Sequence, residues 1–174
     1  MKKFILLISL ILLSPNIVLG QSVEIYTVDQ LDEYRGYCLD IRGYKLKAKP
    51  NNGLQAHTCY SYQGEIAIDQ AFDLLQLTKN HFFLPAFDVC MEAQSISISS
   101  HVRLSKCNFG NLQEFKLDTR SGIHPVGDIK LCLTVDQGKS NKGRGGSPVH
   151  LKRNLTLELC SDKLRPYQIW GARK

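Results

Sequence analysis

One order of residues occurs three times along this chain and constrains its fold more than any other feature. Each copy opens with a cysteine and a hydrophobic residue, continues to an alternating strand that ends in a second cysteine, and closes with glutamine, any residue and an aromatic residue. A recurring order of this kind indicates an internal repeat whose copies pack against one another. The landmarks are Cys38, Cys59 and Gln70-Ala71-Phe72, then Cys90, Cys107 and Gln113-Glu114-Phe115, then Cys132, Cys160 and Gln168-Ile169-Trp170.

The hydrophobic pattern within the copies is that of strands. Apolar and polar residues alternate over 95–104 and again over 153–159, which predicts strands with one buried face. Clusters of Asn, Gly, Ser and Pro separate these segments and predict turns. Residues 70–77 have some helical character, but their strand-like flanks favour a strand followed by a turn. The expected fold class is all-β.

The first twenty residues have the layout of a secretory signal peptide. Lys2 and Lys3 precede an apolar run over 4–13, and Val18-Leu19-Gly20 carries small or apolar residues where a signal peptidase cleaves. A membrane-spanning helix requires about 20 apolar residues, roughly twice the length of this run. We therefore expect residues 1–20 to be removed, no transmembrane segment elsewhere, and a secreted protein, or a periplasmic one in a bacterium.

Composition after this cleavage argues against several functions. The remaining 154 residues correspond to one domain, and their formal net charge falls from +6 to +4 because Lys2 and Lys3 are lost. This mild excess does not indicate a nucleic-acid partner. The five histidines are scattered, and neither a Gly-x-Ser-x-Gly motif nor a zinc-enzyme spacing is present. We expect no enzymatic activity, no cofactor and no metal.

All six cysteines lie after the predicted cleavage point. An even number in an exported chain predicts disulfides, and the absence of a Cys-x-x-Cys pair makes a zinc cluster improbable. Six cysteines allow fifteen pairings, and their positions alone leave the choice open.

The repeats resemble the ricin B-type lectin domain, through openings such as Cys38-Leu39-Asp40 and through the Gln-x-aromatic closes. Two closing aromatics are Phe where the family usually has Trp. The resemblance implies a β-trefoil, a six-stranded barrel capped by three hairpins with pseudo-threefold symmetry. It covers about 31–174, with 21–30 as an N-terminal extension and repeats at about 31–78, 79–121 and 122–174.

The resemblance also implies roles for individual residues. Cysteines within one repeat pair with each other, as Cys38 with Cys59, Cys90 with Cys107, and Cys132 with Cys160. The closing aromatics Phe72, Phe115 and Trp170 form a common structural core and are not expected to be sugar platforms.

A hexose site requires a carboxylate and amides for the sugar hydroxyls and a flat ring for the apolar C–H face. The resemblance places all of these in repeat one, as Asp40, Gln55, His57 and the pair Asp69-Gln70. The corresponding residues are Glu92, Arg103, Ser105 and Leu112 in repeat two, and Thr134, Thr156, Glu158 and Tyr167 in repeat three.

Two of these residues depart from the family pattern. His57 stands where Trp or Tyr is usual, and its titration near pH 6–7 would make binding pH-dependent. Asp69 stands where Asn is common and adds a second carboxylate near Asp40, which favours a sugar other than galactose or binding through a cation. A structural interpretation also stays open, in which Asp40 caps a turn while Gln55 and His57 are ordinary exposed strand residues.

These features predict a secreted lectin that recognises a hexose or hexosamine glycan, galactose-like or related, mainly through repeat one. The alternative is a trefoil interaction subunit, toxin-accessory or inhibitor-like, with a protein partner and a decayed sugar site. An insertion over 137–150 carries Lys139, Lys142 and Arg144 among glycines. Contact with an anionic glycan or a membrane surface is one interpretation, but a solvated, mobile loop is favoured.

Overall fold

A computed structural model describes residues 20–174, so the predicted signal peptide lies, apart from Gly20, outside the described residues. No helix within this range is long and apolar enough to cross a membrane. The two α-helices are α1 (Leu74–Leu77) and α2 (Arg165–Gln168). The strands are β1 (Ser22–Thr27), β2 (Tyr37–Ile41), β3 (Leu54–Thr58), β4 (Phe72–Asp73), β5 (Phe83–Leu84), β6 (Val89–Ala93), β7 (Ser100–Ser105), β8 (Phe115–Asp118), β9 (Gly122–Pro125), β10 (Leu131–Val135), β11 (Asn141–Lys142), β12 (Leu151–Arg153), β13 (Leu155–Leu159) and β14 (Trp170–Arg173).

Each repeat contains one antiparallel strand pair with the same register. The pairs are β2 with β3, β6 with β7, and β10 with β13. In every pair the first cysteine lies opposite the residue two positions before the second cysteine, as Cys38 opposite His57, Cys90 opposite Ser105, and Cys132 opposite Glu158. The predicted disulfides are confirmed: Cys38–Cys59, Cys90–Cys107 and Cys132–Cys160 are all bonded.

The first strand is part of the closed fold. β1 pairs antiparallel with β14 along four positions, from Glu24 opposite Arg173 to Thr27 opposite Trp170, and it also pairs with β2 and β4. The sequence placed residues 21–30 in an N-terminal extension, and within that segment Ser22–Thr27 forms the paired strand β1. β1 carries no cysteine or Gln-x-aromatic landmark, and it contributes the buried core residues Val23 and Ile25 as well as backbone pairing.

The core contains the three closing aromatics. Phe72, Phe115 and Trp170 are fully buried, and the indole Nε1 of Trp170 donates to the carbonyl of Leu133 at 2.9 Å. The Phe82 ring contacts both closing phenylalanines edge to face. Its centroid lies 6.0 Å from that of Phe72 and 6.3 Å from that of Phe115. Phe82 has no landmark position in the repeat.

Some local elements differ from the sequence-based expectation. Residues 95–99 form a turn, in which Ser99 has a positive φ of 60° and Ile98 is 54% exposed, so the predicted strand over 95–104 begins only at Ser100. Helix α1 replaces the turn expected near residue 77, because the Asp73 side chain accepts from the Gln76 amide and caps it.

Candidate functional site

The residues that the sequence assigned to a sugar site meet where β2, β3 and the start of β4 come together. Asp40 lies directly opposite Gln55 in the β2–β3 pair. Asp40 Oδ1 accepts from Gln55 Nε2 at 2.9 Å, and Asp40 Oδ2 accepts from Gln70 Nε2 at 2.9 Å. The structure therefore brings Asp40, Gln55 and Gln70 into one hydrogen-bonded network.

Asp40 lies beneath the protein surface. It is only 1% exposed, and both of its oxygens accept hydrogen bonds from protein amides. Burial, together with the nearby Asp69 carboxylate, raises the pKa of Asp40 well above its usual range. Direct contact of this carboxylate with a ligand requires the residues above it to move.

Asp69 contacts the loop after β2. Its Oδ2 accepts from the Lys45 backbone amide at 2.6 Å, and its backbone carbonyl accepts from the Ile41 amide at 3.1 Å. The other carboxylate oxygen, Oδ1, is buried without a hydrogen-bond partner among the described residues. Burial raises the pKa of Asp69 as well. These contacts hold the 42–53 loop against the end of β2.

The His57 ring belongs to a cluster of three mutually contacting rings with Tyr60 and His150. Its centroid lies 5.4 Å from that of Tyr60 and 5.3 Å from that of His150, which meets it edge-on. Its Nδ1 donates to the carbonyl of Thr58 at 3.1 Å, which fixes the tautomer of the neutral ring. Burial, followed by the neighbouring His150, lowers the pKa of His57 to about 4. The titration near pH 6–7 expected from sequence is therefore corrected: His57 is neutral there.

Gln70 has a role that recurs in all three repeats. In addition to Asp40, it donates to the Thr58 carbonyl and accepts from the Tyr60 amide, the groups on either side of Cys59 in sequence. Gln113 and Gln168 make the same contacts around Cys107 and Cys160. Even repeat three, which has no carboxylate here, keeps the contact as Gln168 Nε2 to Thr134 Oγ1 at 2.9 Å. The closing glutamine is thus part of the scaffold in every repeat.

A groove of about 470 Å³ lies over this network in repeat one. An adjoining depression of about 350 Å³ shares Arg42, Gln55 and Lys152 with it. The residues that line the groove are Arg42, Gly43, Asn52, Gln55, His57, Gly143, Arg144 and Lys152.

Most of these groove residues lie outside the set that the sequence assigned to the site. Gln55 and His57 were predicted, whereas Arg42 and Asn52 belong to the loop after β2, and Arg144 and Lys152 come from repeat three. They reach the groove because β12 pairs with β3, which places Lys152 directly opposite His57. The one available signal was the basic, glycine-rich composition of the 137–150 insertion, and it did not reveal that this segment lies beside repeat one.

Repeat two presents a closed version of the same position. Arg103 donates to Glu92 Oε1 through Nε at 2.8 Å and Nη2 at 2.5 Å, and Ser105 Oγ donates to the same oxygen at 3.1 Å. The arginine lowers the pKa of Glu92 despite its partial burial. Arg103 stands at the position that Gln55 has in repeat one, so this repeat has no amide there.

Two groups of potential metal ligands occur within residues 20–174. One joins His124 to Cys132 and Cys160, and the other joins Glu24 to Cys38 and Cys59. In both groups the cysteines are bonded to each other, and a disulfide does not offer the thiolate that binds metals. Each group therefore retains one ordinary ligand.

No protein-family model matches the chain, and neither does any curated protein sequence. Solved structures do match. An earthworm lectin C-terminal domain mutant in complex with 6'-sialyllactose is 15% identical, with a TM-score of 0.56 over 87% of this chain and 97% of that chain. The earthworm R-type lectin C-half in complex with GalNAc is 13% identical, with a TM-score of 0.57 over 88% and 98%. The mdaA-1 domain is 13% identical, with a TM-score of 0.61 over 88% and 89%.

The strand pairing, the three disulfides and these structural matches define the class of fold. The chain is a β-trefoil with the fold of ricin B-type lectins, as the resemblance of its repeats implied.

Proposed function

We propose that this protein is a secreted, non-enzymatic lectin that binds a hexose- or hexosamine-containing glycan in the groove of repeat one. The observation that carries the proposal is the groove itself, which lies where the predicted residues meet and is lined by Gln55 and His57. Its volume of about 470 Å³ is within the range of small-ligand sites. The sugar complexes of two earthworm lectins with this fold add support.

Each residue has a defined part in this proposal. Asp40 holds Gln55 Nε2, and Gln55 Oε1 has no hydrogen-bond partner among the described residues, so this oxygen is the acceptor for a sugar hydroxyl. Neutral His57 offers Nε2 as a second acceptor, since its Nδ1 is engaged with Thr58. Asp69 fixes the loop after β2, and Gln70 orients Asp40. The bound sugar thus contacts Gln55 and His57, while the carboxylates act as positioning residues.

Export is part of the same proposal. Three disulfides are typical of oxidising compartments, where secreted and periplasmic proteins fold. The charged start and apolar run of the first twenty residues supply the corresponding signal peptide.

A glycan array with the wild-type protein and the Gln55→Ala variant tests the function. We expect a defined set of glycans to bind the wild type, with affinity about tenfold or more lower in the variant because a buried hydrogen-bonding amide is lost. Gln94→Ala, at an exposed glutamine after β6, is the matched control and should bind as the wild type does. Absence of any bound glycan, or equal binding by Gln55→Ala, contradicts the proposal.

The interaction-subunit alternative is favoured by one observation, the burial of Asp40 with both oxygens occupied. In that case the network is only structural and the protein acts by docking a protein partner. Recovery of a stoichiometric partner from culture supernatant, together with a blank glycan array, would favour this alternative. Fold alone does not choose between the two, since trefoils of one architecture serve many functions.

A further inference from the structure

The groove of repeat one is bordered by cations that lack acidic partners. Arg42, Arg144 and Lys152 line it, and Lys142 lines the adjoining depression. These four side chains take part in none of the ion pairs among residues 20–174, so no carboxylate in that range lies within 4 Å of their charged groups. No aspartate or glutamate lines either depression.

Four of the six arginines outside this cluster are paired with a carboxylate in the described part of the chain, whereas Arg120 and Arg165 are not. The pairs are Arg35 with Glu33, Arg103 with Glu92, Arg153 with Asp32, and Arg173 with Glu24.

The cations are held beside the proposed sugar contacts. Lys152 lies opposite His57 in the β3–β12 pair, and directly opposed residues of antiparallel strands project to the same face. Arg42 Nη2 donates to the side-chain oxygen of Asn154 at 2.7 Å, a neutral partner that orients the guanidinium without cancelling its charge. Both cations therefore border the surface that Gln55 and His57 line.

The insertion that carries Arg144 is fixed against the groove. Strand β11 pairs with β12, so that Asn141 lies opposite Lys152. The Gly143 amide donates to the His150 carbonyl at 2.6 Å, and the His150 amide donates to the Gly145 carbonyl at 2.8 Å. These bonds give the insertion local backbone structure and place Arg144 at the edge of the groove, while most of residues 137–149 are exposed to solvent.

We infer that the groove selects an acidic saccharide, whose carboxylate or sulfate group is bound by Arg42, Arg144 and Lys152. This inference rests on the proposed function and specifies its ligand class. A cluster of unpaired cations creates a positive potential that attracts an oxyanion, and the planar guanidinium of an arginine matches the geometry of carboxylate and sulfate oxygens. The neutral part of the sugar then lies on Gln55 and His57.

The test uses an array that presents lactose and N-acetyllactosamine, each in neutral, sulfated and sialylated form. Affinities of the bound glycans are then measured in solution at 50 and 300 mM salt. The groove variant is Arg144→Gln with Lys152→Gln. The matched control is Lys106→Gln with Lys116→Gln, two exposed lysines outside the groove that remove the same charge.

We expect the acidic forms to bind at least tenfold more tightly than their neutral parents, and added salt to weaken only the acidic forms. The groove variant should lose about tenfold in affinity for the acidic forms, because two charge contacts are removed, while the control variant retains wild-type affinity. Comparison of the sulfated with the sialylated glycans identifies which oxyanion is preferred.

Three results would overturn the inference. Equal affinity for neutral and acidic forms removes the acid selectivity but leaves the lectin function standing. An equal loss of affinity in the groove and control variants would show that the effect comes from the overall charge of the protein. Equally tight binding of polyglutamate or single-stranded DNA means that the cations select any polyanion. A blank array instead contradicts the proposed function itself.

Discussion

At the scale of single residues, His57 illustrates how packing changes chemistry. Its position in the repeat is one where a sugar-stacking ring is expected, but Tyr60 and His150 both pack against its imidazole. Burial of 93% of its surface removes the water that would stabilise an imidazolium, and the pKa falls to about 4. The side chain acts as a neutral hydrogen-bonding group at the pH of most extracellular fluids.

The low pKa of His57 predicts that this residue destabilises the folded protein as the pH falls. Because its pKa is about 4 when folded and 6.5 when exposed, the unfolded chain takes up the proton first as the pH falls from 6.5 towards 4. The contribution of His57 to the free energy of unfolding should therefore decrease over that window by up to about 3 kcal/mol, while the raised pKa values of Asp40 and Asp69 act in the opposite direction. Urea unfolding at pH 7, 5.5 and 4.5 measures it.

The variant His57→Gln should lose that part of the pH dependence, whereas His101→Gln, at an exposed histidine of β7, should retain it. Parallel pH profiles for the wild type and His57→Gln would show that His57 does not titrate as described.

At the scale of elements, the closing glutamine joins the ends of each strand pair. Gln113 is fully buried and donates from Nε2 to Glu92 at 2.7 Å and to the Lys106 carbonyl at 3.0 Å. Its Oε1 accepts from the backbone amides of Asn108 and Phe109. One amide side chain thus satisfies buried polar groups of the strands and of the turn that follows, which explains why the residue recurs at this point of all three repeats.

Repeat two permits a test of this role apart from any ligand. Replacement Gln113→Ala leaves these buried groups without partners, and we expect the free energy of unfolding to fall by roughly 2–5 kcal/mol. Chemical denaturation measures the change, and Gln94→Ala at an exposed site should stay within about 0.5 kcal/mol of the wild type. A change in Gln113→Ala no larger than that of Gln94→Ala would assign the recurrence to another cause.

At the scale of the whole molecule, several strand pairings cross repeat boundaries, including β7 with β13. β1 pairs with β14 and so joins the two ends of the described chain. The β11–β12 segment of repeat three pairs with β3 of repeat one and forms one wall of the groove. The threefold pattern therefore describes the scaffold, while both the closure of the fold and the candidate site depend on contacts between different repeats.

The β1 pairing predicts the outcome of a truncation. A chain of residues 31–174 lacks β1, so the edges of β14 and β2 are left unpaired. The buried apolar residues Val23 and Ile25 are removed from the core with it. We expect it not to unfold cooperatively, whereas residues 20–174 should. Near-UV circular dichroism and thermal unfolding compare the two. A cooperative transition in the 31–174 chain would show that residues 21–30 are an extension that the fold does not require.

The sequence by itself determined the all-β class and the triple repeat, and the resemblance that the repeat carries implied the trefoil and the three disulfide pairings. These features repeat with the chain, so their landmarks, such as Cys38, Cys59 and Gln70, are visible as a pattern three times over. The resemblance also identified Asp40 and Gln55, which the structure places opposite each other within one hairpin.

Only the tertiary structure decided what surrounds those residues. Arg42 and Lys152 border one groove although they are far apart in sequence, and Lys152 lies opposite His57 through a pairing between different repeats. Burial, pKa and charge at a site depend on such distant neighbours. Periodicity and spacing in the sequence indicate only contacts between residues that are close together in the chain. The physical reason is that a strand edge pairs through its backbone, so the sequence of β3 carries no mark of the strand that will lie beside it.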